Sequence, residues 1–421
     1  MKILIIADYA PPYNKIGAVR IGKTAKYLKY FGHDVRLLTS HHSKEKDLSL
    51  PLEIEQHELV YADCLRFSDT IQSDYWDLSR WHRLLIRFNT IFKSKNLLFA
   101  FREDSIAWLP TAQKIGQKKI NSWRPDIIFS SALPIVSHIV AHRLAKANKI
   151  PWVAEYRDLW SGGHGAHVGL FSKIFYPLFE KFFLNNVSAL ITVSQPLADH
   201  LKHQHNKTVT TVFNGFDDSA MDLKDSSDDI SPKLRMVYTG AVYEGRDPSP
   251  LFCAIQLLDT EVRNHLSINF YSEEVSLLQR LIKSYEVSDV VSIQDRVPYE
   301  KSLSVQASAD VLLFLSYSSK VRKNGGILSG KAFEYLSAKR PILSVGADDD
   351  HVLCNDGLMI NMAEPTQIAS QLKIWIVQKQ QLGGIPSIAS TTQIEKWSRK
   401  SQTLILERVL LDACDASNLA C

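Results

Sequence analysis

Cysteine is scarce and scattered in this chain: five residues, at 64, 253, 354, 414 and 421, with no CxxC pair and no metal-ligand spacing. That excludes a disulfide framework and a zinc knuckle, and reduced thiols in a cytosolic compartment are expected. No apolar run is long enough to span a bilayer. The opening MKILIIADYAPPY holds five apolar positions before Asp8, too few for a signal peptide, and reads as a first strand. Charge of one sign is also lacking: the net value is +4, so bulk electrostatics imply no nucleic-acid partner. No short internal repeat is visible, which sets solenoid architectures aside. What remains is a composition of 45% hydrophobic and 22% charged residues, that of a globular protein, over 421 residues, too many for one ordinary core. Two domains are expected.

The first half alternates strand and helix. Ile3 to Ala7 reads as a strand, a Pro-Pro loop follows, and a helical pattern from Ile21 to Phe31 closes at Gly32. Val35 to Thr39, Asp126 to Ser130, Trp152 to Glu155 and Ala189 to Val193 continue the strands, with helices over 135–148 and 173–184. Residues 217–233 turn polar and acidic and read as a linker. A second alternating series follows, with strands at Arg235 to Thr239, Ser267 to Tyr271, Val290 to Ile293 and Ala309 to Ser316. Such alternation predicts an α/β protein of two Rossmann-like, doubly wound domains facing across a cleft: 1–216, then 234–390, with 391–421 a helix packing back on the first domain.

The most informative stretch is Asn324 to Pro341, NGGILSGKAFEYLSAKRP, a glycine-rich loop running from an apolar strand into a helix. Backbone N–H groups at a helix start and the charge of Lys331 suit a phosphate. Glu334 lies one turn along the same face, where it would repel a phosphate but could accept hydrogen bonds from sugar hydroxyls. A cation for phosphate beside a carboxylate for hydroxyls describes a nucleotide or nucleotide-sugar site. Gly325-xxxx-Gly330-Lys331 also matches most of a Walker A loop, but Ala332 stands where that loop needs Ser or Thr for magnesium.

With both halves placed, the chain resembles a GT-B glycosyltransferase of glycosyltransferase family 4, of the bacterial surface-glycan type. The resemblance rests on PPYNKIGAVR, FGHDVRLLT, WVAEYRDLWSG, LITVSQPLADHL, VFNGFD, YTGAVYEGRDP and, most specifically, GKAFEYLSAKRPIL, in that order along nearly the whole length. It implies a retaining, metal-independent transfer of a sugar from a nucleotide-diphosphate donor, which is a substrate, with no cofactor. Two departures stand out. Gly326 occupies the position of the first Glu of the family's Glu-x7-Glu, and Ala241 and Arg246 stand where many members have an Arg and a Lys.

The resemblance assigns roles residue by residue. Arg246 and Lys331 would hold the donor diphosphate and stabilise its charge as the bond breaks. Glu334 would bind the ribose, and the backbone of Gly325, Gly326, Ile327, Leu328, Ser329 and Gly330 would hold the donor. Gly17, expected in the loop before the first helix, would let the backbone approach the donor. Arg20 opens that helix, where it pairs with a phosphate or lies on the surface. Asp158 would act on the acceptor hydroxyl or fix Arg157, with His164 in the glycine-rich acceptor-side loop. No catalytic base is named; His138 lies inside a helix, and His33 and His142 read as packing or surface residues. Asp348-Asp349-Asp350 reads as a solvated turn rather than a metal ligand set, so no metal is expected.

Residues 80–102 hold six Lys or Arg and no acid, with Trp81, Leu84, Leu85, Phe88, Ile91 and Phe92 along one helical face. This basic amphipathic pattern suits an anionic membrane surface, or a core helix with a basic outer face. The expected function is sugar transfer to a glycan or polyprenyl-linked acceptor in cell-surface polysaccharide synthesis, in the cytoplasm and peripherally on the inner face of the plasma membrane. A non-catalytic GT-B subunit binding nucleotide-sugar or a partner enzyme, and a GT-B nucleotide-sugar epimerase, are the alternatives.

Overall fold

A computed structural model describes residues 1–40, 47–63, 108–161, 170–222, 231–243, 245–273, 275–316, 329–346, 352–387 and 389–419. They divide into two compact units: Met1–Asn214 with Arg399–Cys421, and Gly215–Asn324 with Leu328–Ser398.

The first unit runs β1 (Lys2–Ile6), α1 (Ile16–Tyr30), β2 (Asp34–Ser40), β3 (Leu59–Ala62), α2 (Leu109–Trp123), β4 (Ile127–Ala132), α3 (Val136–Asn148), β5 (Trp152–Tyr156), α4 (Leu170–Phe183), β6 (Ala189–Thr192), α5 (Gln195–His205) and β7 (Val209–Thr211). The second runs β8 (Leu234–Thr239), α6 (Ser249–Gln256), α7 (Thr260–Arg263), β9 (Leu266–Tyr271), α8 (Ser276–Ser284), β10 (Val291–Gln294), α9 (Tyr299–Ala307), β11 (Val311–Leu315), α10 (Gly330–Tyr335), β12 (Ile342–Val345), α11 (Val352–Asn355), β13 (Ile360–Met362), α12 (Pro365–Leu382) and α13 (Thr391–Glu395). The last helix, α14 (Arg399–Leu419), belongs to the first unit.

Each unit is built on a parallel sheet. Seven strands in the order β3-β2-β1-β4-β5-β6-β7 form the first, and six in the order β10-β9-β8-β11-β12-β13 form the second. Strands such as β4 (IIFSSA) and β11 (VLLFL) are buried along their whole length, as apolar runs covered by helices on both faces must be. In the first unit α2 to α5 cover one face, through a core that includes Trp108, Ile139, Leu144 and Leu197. The other face is covered by α1 and α14, through Ile21, Leu28, Leu406 and Leu410. Polar contacts hold α14 as well: His33 Nε2 lies 2.6 Å from Glu407 Oε1, and Gln402 Oε1 accepts from Phe213 N at 2.8 Å. In the second unit α6, α8 and α12 build the corresponding core on one face.

Strand order reverses between β1 and β4 in one sheet and between β8 and β11 in the other. Connections leave in opposite directions at such a point, opening a crevice beyond the strand carboxyl ends where ligands bind. The helix expected from Ile21 starts five residues earlier, at Ile16, so the Pro-Pro loop is shorter than the sequence suggests. The alternation read from the sequence passes over α2, α12 and the edge strands β3, β7 and β13. Those three strands are only three or four residues long and at most half lined with buried side chains, too short for a periodic signal.

Candidate donor site

The carboxyl end of β8 and the start of α10 meet at the switch point of the second sheet. Lys331, the second residue of α10, donates from Nζ to the Thr239 carbonyl at 2.7 Å, with its ammonium 5.8 Å from the Tyr238 ring centroid. Gly240 makes that path available. Its φ is +145°, and a Cβ there would stand 1.7 Å from Lys331 Nζ. Burial pushes the Lys331 ammonium down to about 8, and the nearby Arg246 charge pushes in the same direction while Glu334 opposes it. A cation under desolvation and repulsion from a second cation gains when an anion arrives.

Arg246 is that second cation. It is only 9% exposed, its guanidinium lies 5.2 Å from the Tyr243 ring centroid, and Nη2 reaches Ser329 Oγ at 3.5 Å. Ser329 caps α10 in an extended conformation, so Gly330 and Lys331 begin the helix as the sequence predicts. The helix is only six residues long before it tightens into a 3₁₀ turn over Leu336–Ala338. Its dipole is correspondingly small, and the two side-chain cations dominate the local field.

Glu334 is held by a residue the sequence reading missed. Gln306 on α9 is fully buried, and its Nε2 donates to Glu334 Oε1 at 2.9 Å, with Thr239 Oγ1 at 3.2 Å and Ser302 Oγ at 3.1 Å sharing the same group. Thr239 in turn donates its backbone N–H to the Tyr335 hydroxyl at 3.0 Å. Thr239, Gln306, Glu334 and Tyr335 thus form one polar cluster beneath Lys331. No sequence signal marked it, since its helix also carries Glu300, Lys301, Ser302 and Ser304.

In the first unit the predicted residues are placed differently. Gly17 lies in the first turn of α1, not in a loop, and a Cβ there would fall 1.6 Å from Arg157 Nη1. Arg157 donates from Nε to the Ala132 carbonyl at 2.9 Å and from Nη2 to the Leu133 carbonyl, pinning the loop after β4. Burial lowers the proton affinity of the Arg157 guanidinium below its ordinary value, Glu155 opposing and the nearby Arg20 charge adding to it; Asp158, which follows it and is partly buried, opposes it more weakly. Arg20 is neither a surface residue nor free for phosphate. It is 4% exposed, donates to Glu155 Oε1 from Nε at 2.9 Å and from Nη2 at 2.7 Å, and binds the Val212 and Phe213 carbonyls at 2.8 and 2.9 Å. Burial pushes the Glu155 carboxyl up, but Arg20 and the Ser131 hydroxyl outweigh it and hold the group below the usual range. His138 is buried, its Nδ1 lies 2.8 Å from Ser130 Oγ, and burial pushes it down to about 3, so the ring is neutral at every physiological pH. His142 packs against Phe183, with Nδ1 2.6 Å from Asn186 Oδ1. Gly325, Gly326, Ile327, Leu328, His164, Asp348 to Asp350 and the basic stretch 80–102 lie outside the described residues.

Residues 17–215 match the glycosyl transferase 4-like domain. The match spans just under half of the chain. No curated protein sequence matches the chain. Solved structures resemble it over both units of the GT-B fold. Anabaena HepE in complex with UDP is 14% identical with a TM-score of 0.62, over 98% of this chain and 100% of that one. Sucrose-phosphate synthase from Thermosynechococcus elongatus is 13% identical with a TM-score of 0.64, over 99% and 100%. UDP-GlcNAc 2-epimerase from Neisseria meningitidis, bound to UDP-GlcNAc, is 12% identical with a TM-score of 0.56, over 98% and 100%. At such identities the likeness is one of fold, and that fold is GT-B.

Proposed function

We propose that this GT-B chain is a retaining glycosyltransferase that moves a sugar from a nucleoside-diphosphate donor to a glycan or polyprenyl-linked acceptor in surface-polysaccharide synthesis. The observation that carries the donor half is the convergence of Lys331, Arg246 and Glu334 at the switch point of the second unit, with the Lys331 ammonium desolvated. As the glycosidic bond lengthens, negative charge accumulates on the departing diphosphate. Lys331 and Arg246, already desolvated and fixed, meet that charge without reorganisation and lower the barrier more than they tighten ground-state binding. Glu334, oriented by Gln306, accepts from ribose hydroxyls. Two cations do this without a metal, so activity survives excess EDTA. Residues 80–102 bring the enzyme to the inner face of the plasma membrane, where lipid-linked acceptors reside.

UDP and UDP-sugars are the first donors to test, since HepE and the Neisseria epimerase are recorded with them. Purified protein should release UDP from one UDP-hexose in the presence of acceptor, and slowly from the donor alone. The Neisseria likeness over 98% of this chain supports a second reading, epimerisation of the donor sugar. Product analysis separates the two: a C2-inverted sugar nucleotide without a new glycosidic bond would replace the transferase reading. Absence of any turnover, with UDP binding intact, would leave a non-catalytic subunit.

A further inference from the structure

The helix α14 carries its charges against its own dipole. Its three bases, Arg399, Lys400 and Arg408, lie in the first half, and two of its three acids, Asp412 and Asp415, in the second. A helix is partly positive at its N-terminal end and partly negative at its C-terminal end, so this order is the unfavourable one. Neither Lys400 nor Arg408, Asp412 or Asp415 takes part in an ion pair among the described residues. The third acid, Glu407, is already bonded to His33. A second helix running the opposite way would relieve the mismatch, by setting acids beside the bases and opposing the dipole.

One face of α14 packs on the sheet through Leu406 and Leu410. Its outward face exposes Leu404 at 41% and Leu411 at 39%, with Arg408, Asp412 and Asp415 around them. Seven positions make about two turns, so the two leucines stand one above the other. Tyr30, the last residue of α1, extends this face at the Lys400 end: it is 67% exposed, and Lys400 Nζ lies 4.6 Å from its ring centroid and 3.2 Å from its hydroxyl. Single exposed leucines are ordinary; their setting here is not. Lys400 stands four positions before Leu404, and Asp415 four positions after Leu411. Read in reverse, the series Lys400, Leu404, Leu411, Asp415 has the same spacing with the two charges exchanged. The surface that complements it is therefore its own copy. An antiparallel second α14 sets Leu404 against Leu411 and Lys400 against Asp415 at both ends at once.

We propose that α14 pairs antiparallel with α14 of a second copy of this chain about a twofold axis, with Leu404 against Leu411 and Lys400 against Asp415. Such a contact is isologous and closes at two copies. One helix pair with Tyr30 at its edge is a small interface, so the dimer should be weak, with Kd on the order of micromolar. The two Arg408 side chains come together near the axis, the one unfavourable contact in this register. The test is sedimentation equilibrium of the full chain across micromolar concentrations. Lys400→Glu and Asp415→Lys each bring like charges together twice per dimer, and each should weaken association about tenfold. The two combined should restore it to near the wild-type level. Leu411→Ser should weaken it about tenfold, and Arg408→Leu should strengthen it. All of these side chains lie at the surface, so melting temperatures should stay near that of the wild type, and Lys400→Glu also places an acid where the helix dipole favours one. The readout is mass, so its failure leaves the transferase reading untouched. A monomer at every concentration would overturn the proposal. So would a dimer that none of the variants weakens, or one in which the combined charge exchange dissociates as readily as the single changes.

Discussion

The two sheets share one strand order around their switch points, yet the cations beyond β1 and β4 are each tied to several acceptors, while Lys331, beyond β8 and β11, meets one among the described residues. In the first unit Arg20 meets Glu155 bidentately and caps two backbone carbonyls, and Arg157 is consumed by the Ala132 and Leu133 carbonyls. The second unit sets Lys331 on a single carbonyl among the described residues, where burial and, after it, the neighbouring Arg246 charge lower its proton affinity. A saturated cation stabilises a fold; an under-solvated one stabilises an incoming anion. The same topology therefore ties its cations down in one unit and, on the proposed reading, leaves them to a ligand in the other, according to how many acceptors surround each cation.

Removing a cation from each place breaks the comparison most directly. Arg20→Met leaves the Glu155 carboxylate buried without its partner and should cost about 3–5 kcal/mol of stability, read by urea denaturation. Lys331→Met should do the opposite: unfolding at pH 7 should need as much denaturant as the wild type or more, because a desolvated charge is gone. If both variants lose comparable stability, the distinction between the two sites fails.

Catalysis comes next in size. Lys331→Ala should lower kcat/KM by about 2–4 kcal/mol of transition-state stabilisation, the range for losing one preorganised donor, with Arg246→Ala similar. Near wild-type turnover for Lys331→Ala would remove Lys331 from the donor site. Gly240→Ala, which meets both a positive φ and the Lys331 ammonium, should cost about 1–3 kcal/mol. Adding Lys331→Ala should recover the part due to the clash and leave the backbone part.

The pH dependence follows from Lys331 at about 8, below its ordinary 10.5. Between those values the unfolded chain binds more protons than the folded one, so this lysine makes stability rise with pH across that window; its penalty is complete below about 8. Nucleoside-diphosphate binding runs the other way. The anion favours the ammonium, so complex formation takes up a proton above about pH 8, and affinity should fall by up to about tenfold per pH unit there. Calorimetry in buffers of different ionisation enthalpy reads that proton directly, and Lys331→Met should abolish it. The smallest effect is expected from Gln306→Leu. Freeing Glu334 from its hydrogen bond should weaken nucleotide binding by about 1–2 kcal/mol while a deoxyribose nucleotide, lacking one hydroxyl, shows a smaller difference between variant and wild type.

By itself the sequence determined the two alternating series, because a buried parallel strand must be a short apolar run and the helix after it must show a 3.6-residue stripe. It also determined that Lys331 and Glu334 share a helical face, since three positions along a helix is local geometry. The tertiary structure alone decided what the other charges do. Arg20 looked available because its partner, Glu155, is 135 residues away, and Gly17 read as a loop glycine because nothing local announces the Arg157 guanidinium lying over it. Gln306 was illegible for the same reason: one polar residue among Glu300, Lys301, Ser302 and Ser304 on a short helix, it declares itself only when Glu334 and Thr239 arrive from other elements to satisfy it. Periodicity along the chain specifies which face is buried. The number of acceptors that gather round a buried cation depends on long-range packing, and it is that number which makes Arg20 a tie and leaves Lys331 a desolvated ammonium on one carbonyl among the described residues.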